Sequence, residues 1–138
     1  MRLKFLLITL CLISATTLLY ADTEKNNVAE SFCKAIRGQN IAHHSFGDKI
    51  RNFFKNDTLL SDYIVTLYYT WKKNKIRDFT ILDCSIINIK ETSNSSFSVE
   101  YKLTGNGWLF FHKNIIITNN WQKENDDWYI VPERFIKK

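Results

Sequence analysis

The stretch that most constrains this chain is Trp108 to Pro132, WLFFHKNIIITNNWQKENDDWYIVP. It predicts a long strand from Trp108 to Thr118, a break at Asn119-Asn120, a strand from Trp121 to Glu124 and a closing strand from Trp128 to Val131. The last two pair across the polar turn Asn125-Asp126-Asp127. Upstream, Phe97, Val99, Tyr101 and Leu103 alternate with Ser98, Glu100 and Lys102, the pattern of a strand with one buried face. Gly105-Asn106-Gly107 turns the chain after it. Phe79 to Lys90 reads as a further strand, apolar on both faces, ended by the turn Thr92 to Ser96. Consecutive strands with short turns make an antiparallel meander. In the long strand, Leu109, Phe111, Ile115 and Ile117 share one face, while Trp108, Phe110 and Ile116 share the other with His112 and Asn114. Two apolar faces predict cover on both sides, from a sheet bent onto itself or from a partner chain.

The first half follows a helical period. Val28, Phe32, Ala35 and Ile36 form one stripe, with Gly38 as the stop. Phe46, Ile50, Phe53 and Phe54 make a second, short pattern. Asp57 or Thr58 caps a third, in which Leu60, Ile64, Leu67, Tyr68 and Trp71 recur at helical spacing. The β-branched run Ile64-Val65-Thr66 leaves a strand as the alternative there. A chain of 138 residues, 45% hydrophobic and 24% charged, suits one folded domain. The fold class expected is α+β, with N-terminal helices packed on a strongly curved antiparallel sheet.

Residues 1–21 have the three parts of an export signal: Arg2 and Lys4, an uncharged apolar run from Phe5 to Leu19, and small residues at the cut, after Ala21 or Ala15. The run is short of the roughly 20 residues a spanning helix needs, so no stable membrane span is expected after cleavage. Leu10 before Cys11 is too large for a lipidation site. Residues 22–27 read as a flexible lead-in and 28–138 as a single domain. Loss of Arg2 and Lys4 takes the net charge from +5 to +3, too weakly basic to argue for nucleic acid. Export to the periplasm or the extracellular space makes Cys33 and Cys84 a candidate disulfide, the alternative being two buried thiols.

Other features have plain readings. His43-His44 is a solvated pair with no third ligand in reach, so no metal is expected. There is no phosphate-cradling loop or nucleophile elbow, and no cofactor is expected. Lys72, Lys73, Lys75 and Arg77 cluster where a helix C-terminus favours cations; contact with anionic lipid or nucleic acid is the alternative. Tyr63, Tyr68 and Tyr69 serve as core or as the lining of a pocket.

The closing hairpin, with Trp121, Lys123, Glu124, Trp128, Tyr129, Ile130 and Val131, resembles that of the nuclear-transport-factor-2-like superfamily. The opening helix AESFCKAI is similar to that superfamily's first helix. The resemblance spans about residues 28–132. It implies a cone with a pocket between sheet and helices, often with a homodimer through the sheet's outer face. Lining residues would be Tyr63, Tyr68, Phe97, Tyr101, Phe110 and His112. Superfamily members range from isomerases to ligand binders and secretion-system subunits, so fold leaves function open. The reading carried forward is a non-enzymatic exported domain that binds a small apolar ligand or a protein partner. The alternatives are a subunit of a cell-envelope assembly and a small proton-transfer enzyme with Asp83, Tyr101 and His112 as its acid–base set.

Overall fold

The computed structural model describes residues 23–132. The export signal expected at residues 1–21 lies outside them. Helix α1 spans 23–36, so most of the lead-in at 22–27 belongs to its first turns. Long-range contacts explain the difference. Lys25, 5% exposed, pairs with the Glu91 carboxylate, and its Nζ also donates to the Ser93 carbonyl at 3.3 Å. Glu24 accepts from Lys123 Nζ and Trp128 Nε1, each at 3.2 Å. Ala29, Phe32, Cys33 and Ile36 then form the buried stripe. Gly38, with φ of 79°, takes the left-handed turn that ends α1, and its N–H donates to the Ile81 carbonyl at 2.7 Å.

Helix α2 (Ser45–Ile50) runs into a 3-10 turn (Arg51–Phe53) and buries Phe46 and Ile50. Helix α3 (Asp57–Lys73) is helical throughout, which decides against a strand there. Its cap is Asn56, one residue earlier than Asp57: the Asn56 side chain accepts from the Leu59 N–H at 2.9 Å. Leu60, Leu67 and Trp71 are buried.

Four strands follow, β1 (Asp83–Ser93), β2 (Ser96–Asn106), β3 (His112–Glu124) and β4 (Asp127–Val131), in one antiparallel sheet of order β1-β2-β3-β4. The architecture is therefore α+β, helices first and a meander after. The register unites the apolar phases. Phe97 faces Trp121, Tyr101 faces Ile117, Leu103 faces Ile115, and Trp121 faces Ile130. Irregularities in β1 between Ile86 and Asn88 and between Glu91 and Ser93 bend that strand. Phe32 sits where helices meet sheet, its ring 5.2 Å from Tyr101, 5.6 Å from Phe53 and 6.1 Å from Trp121. A Cys33–Cys84 disulfide ties α1 to β1, with Cα atoms 5.4 Å apart.

Three strand expectations need correction. Phe79 to Leu82 precede β1 rather than belonging to it. Asn119-Asn120 do not break a strand: β3 is continuous through them, and Asn119 is 2% exposed opposite Val99. Trp108 to Phe111 are not strand at all. The last β2–β3 pair is Asn106 with His112, and the five residues between form the hairpin loop. Beyond that pair the backbone closes on itself as a turn, with the Phe111 N–H donating to the Trp108 carbonyl at 3.2 Å. Gly107 N–H donates to the Phe111 carbonyl at 2.7 Å, and Leu109 sits at φ of 57°. The outer sheet face is instead largely polar, with Glu100, Lys102, Thr118 and Gln122 around an exposed Ile116. Of the three large apolar residues expected on that face, Trp108 and Phe110 lie on the loop and Ile116 remains on the sheet, 62% exposed.

A candidate ligand cleft between α3 and the β3 edge

Because β4 is short, it covers only the second half of β3, from Asn120 onward. Helix α3 passes the uncovered part. The gap between them is a cleft of about 370 Å³, lined by Thr66, Leu67, Thr70, Ile117 and Ile130 and closed at its base by Tyr63 and Asn119. Its walls are mainly apolar, and its size lies at the lower end of the ~300–1,000 Å³ typical of small-molecule sites.

The polar base is a built feature. Tyr63 Oη donates to Asn119 Oδ1 at 2.9 Å, a contact between residues 56 apart in sequence. Burial pushes the Tyr63 phenol far above its ordinary value, with the Asn119 bond pulling weakly the other way. The phenol is a neutral hydrogen-bond donor at physiological pH and no general base. Asn119 Nδ2 is buried and has no hydrogen-bond partner among the described residues. Asn119, a lining residue of the cleft, thus carries a buried, unpartnered amide donor beside its Tyr63 bond.

The residues singled out from sequence are scattered. Tyr63 lines this cleft. Tyr68 stacks on Phe79, ring centroids 4.6 Å apart. Phe97 and Tyr101 are core, at 1% and 0% exposure. Phe110 is 98% exposed on the β2–β3 loop, and His112 is exposed at the start of β3. The acid–base set does not converge. Asp83 is exposed, accepts from Arg37 Nε at 3.1 Å, and precedes the core-facing Cys84. Successive strand residues face opposite sides, so Asp83 and Tyr101 lie on opposite faces of the sheet. Burial also drives the Tyr101 phenol far upward, and its hydroxyl donates to the Ala29 carbonyl at 3.4 Å. Sequence reasoning passed over Asn119, although a signal was present: it occupies the apolar phase Ile115, Ile117, Asn119, Trp121, where a carboxamide needs a reason.

A second, more open cleft of about 660 Å³ lies where the start of α1 meets the closing hairpin, lined by Glu24, Asn27, Ser31, Asn52, Asp126 and Asp127 among others. The Trp128 indole N–H, then Lys123, hold the Glu24 carboxyl below the usual carboxylate range. Val28, Phe53, Trp128 and Tyr129 also line it, so carboxylates, amides and aromatic side chains share this cleft. Among the described residues, no three His, Cys, Asp or Glu side chains are grouped to hold a metal, and no helix is long and apolar enough to cross a membrane.

No family model matches the chain. No curated protein matches it either. Among solved structures, it is similar to a SEC-C motif containing protein from Rhodopseudomonas palustris, at 13% identity and a TM-score of 0.42, over 62% of this chain and 62% of that one. It is also similar to an NTF-2 like protein of unknown function from Shewanella oneidensis, at 17% identity and a TM-score of 0.42, over 74% of this chain and 93% of that one. The second carries the family description that the closing hairpin suggested. At these scores neither likeness bears on function, and the α+β architecture rests on the register and burial described above.

Proposed function

We propose that the protein is an exported, non-enzymatic domain that holds a small apolar ligand in the cleft between α3 and β3. The observation that carries this reading is the Tyr63–Asn119 pair at the base of apolar walls. Apolar surface supplies most of the affinity in such a site, and one or two polar groups set orientation. The ligand expected is compact and largely hydrocarbon, with one acceptor oxygen for the Asn119 amide. Export is supported by the signal pattern of residues 1–21 and by the Cys33–Cys84 bond, since disulfides persist outside reducing compartments. The proton-transfer alternative lacks an assembled site, because Asp83 and Tyr101 lie on opposite faces of the sheet.

The test is native mass spectrometry of the protein recovered from its exporting cells, beside a Thr66→Trp variant. Thr66 is an exposed α3 residue at the cleft wall, so an indole there fills the space without entering the core. The expected result is a non-covalent adduct on the wild-type protein that leaves on activation and is missing from the variant. A wild-type protein with no adduct, whose Tyr63 and Asn119 NMR signals ignore a panel of medium-chain acids and alcohols, overturns the reading.

A further inference from the structure

The hairpin loop between β2 and β3 has no role in the cleft, and its composition is unusual for a water-facing turn. Trp108, Leu109, Phe110 and Phe111 are 75%, 56%, 98% and 72% exposed. Contiguous exposed apolar surface of this kind marks an interaction site. The loop is nevertheless a closed turn. The Phe111 N–H donates to the Trp108 carbonyl at 3.2 Å, and Gly107 N–H donates to the Phe111 carbonyl. A Cβ on Gly107 would lie 2.7 Å from that carbonyl oxygen, so this closure needs glycine. Leu109 takes the left-handed conformation that β-turns usually reserve for glycine or asparagine. Backbone geometry here holds four apolar side chains out in water.

The surroundings say what meets them. Arg77 is bridged to Asn106, its N–H donating to the Asn106 carbonyl at 2.7 Å. Trp71 and Ile76 pack on Gly105. These contacts bring the C-terminal end of α3 to the base of the loop. Lys72, Lys73, Lys75 and Arg77 are exposed there, and Lys113 is exposed at the start of β3. No Asp or Glu occurs in 71–77 or in 101–123. Two acids lie near this end and both are engaged: Asp78 accepts from Asn106 Nδ2 at 2.9 Å, and Asp83, opposite Thr104, accepts from Arg37 Nε at 3.1 Å. A protruding Trp/Phe tip ringed by Lys and Arg has the chemistry of the headgroup boundary: aromatic side chains settle at that depth, and cations meet anionic phosphates.

We propose that this end of the molecule docks on an anionic phospholipid bilayer, with Trp108 to Phe111 inserted at the headgroup level and the five cations against lipid phosphates. The proposal is independent of the cleft and shares no residue with it.

The experiment uses processed protein recovered after export, mixed with phosphatidylcholine vesicles with and without phosphatidylglycerol. Trp71, Trp121 and Trp128 are buried, so quenching by brominated acyl chains reports on Trp108. Expected are sedimentation with the anionic vesicles, weakening with salt, and quenched Trp108 emission. A Phe110→Ser/Phe111→Ser variant, whose changes lie outside the core, should melt like wild type and lose about tenfold or more in vesicle partition. Wild type and variant binding alike would place the attachment elsewhere and overturn the proposal, as would wild type left in the supernatant. A wild-type dimer that the double variant dissolves would assign the loop to a second copy and overturn it equally.

Discussion

Opening the Cys33–Cys84 bond removes the tie between α1 and β1 and leaves every other contact available. The two cysteines are separated by 51 residues. In the chain-entropy picture, releasing a loop of that length returns about 4 kcal/mol of freedom to the unfolded state. A domain of this size loses roughly 4 °C of Tm per kcal/mol, so the midpoint should fall by about 15 °C. Both cysteines are 1% exposed, so reductant reaches the bond through unfolding. The clean comparison is the same chain reduced in denaturant, refolded with reductant and melted by circular dichroism beside the oxidised form. A Cys33→Ala/Cys84→Ala variant should fall further, because it also loses packing around two buried sulfurs. Oxidised and reduced chains melting within about 4 °C of one another would refute the reasoning. Either the bond would be missing from the protein as isolated, or the unfolded chain would already be held compact without it.

Three other outcomes can be checked independently. Gly105→Ala should cost about 1–3 kcal/mol by urea titration, because its Cβ would lie 2.5 Å from both Trp71 and Ile76. In the cleft, Asn119→Leu should cost about 1–3 kcal/mol by leaving the Tyr63 hydroxyl covered and unpaired; adding Tyr63→Phe should recover most of it, which a double-mutant cycle would show. The Glu24 carboxyl is held below its ordinary value of 4.5 by Trp128 and Lys123, so its contribution is complete above that pH and lost as pH falls through the lower folded value. Glu24→Gln should flatten the acid limb of stability below pH 4.5 and leave its shape near neutrality unchanged.

Much of this architecture is written locally. The alternation Phe97, Val99, Tyr101, Leu103 needs only the period of a strand. The spacing of Leu60, Leu67 and Trp71 needs only that of a helix. Asn125-Asp126 takes positive φ at both residues and closes the hairpin as short polar turns do. Cys33 and Cys84 could be paired on paper because the export signal expected at residues 1–21 would take Cys11 with it and leave two cysteines, which allow one bond.

Other features depend on partners far away in sequence. Lys25 looks like solvent-facing lead-in until Glu91 is placed beside it. Asn119 looks like a strand breaker until Tyr63 reaches it from α3. Asp83 and Tyr101 read as partners in chemistry until the register sets them on opposite faces. Trp108 to Phe111 read as core because apolar side chains usually are, and their composition carries no mark of where the hairpin closes. The pairing of Asn106 with His112 decides that, by matching two apolar phases along the whole length of β2 and β3. Periodicity along a chain determines which residues share a face. The tertiary structure alone decides what lies against that face, because burial and hydrogen-bond satisfaction are properties of contacts between distant segments.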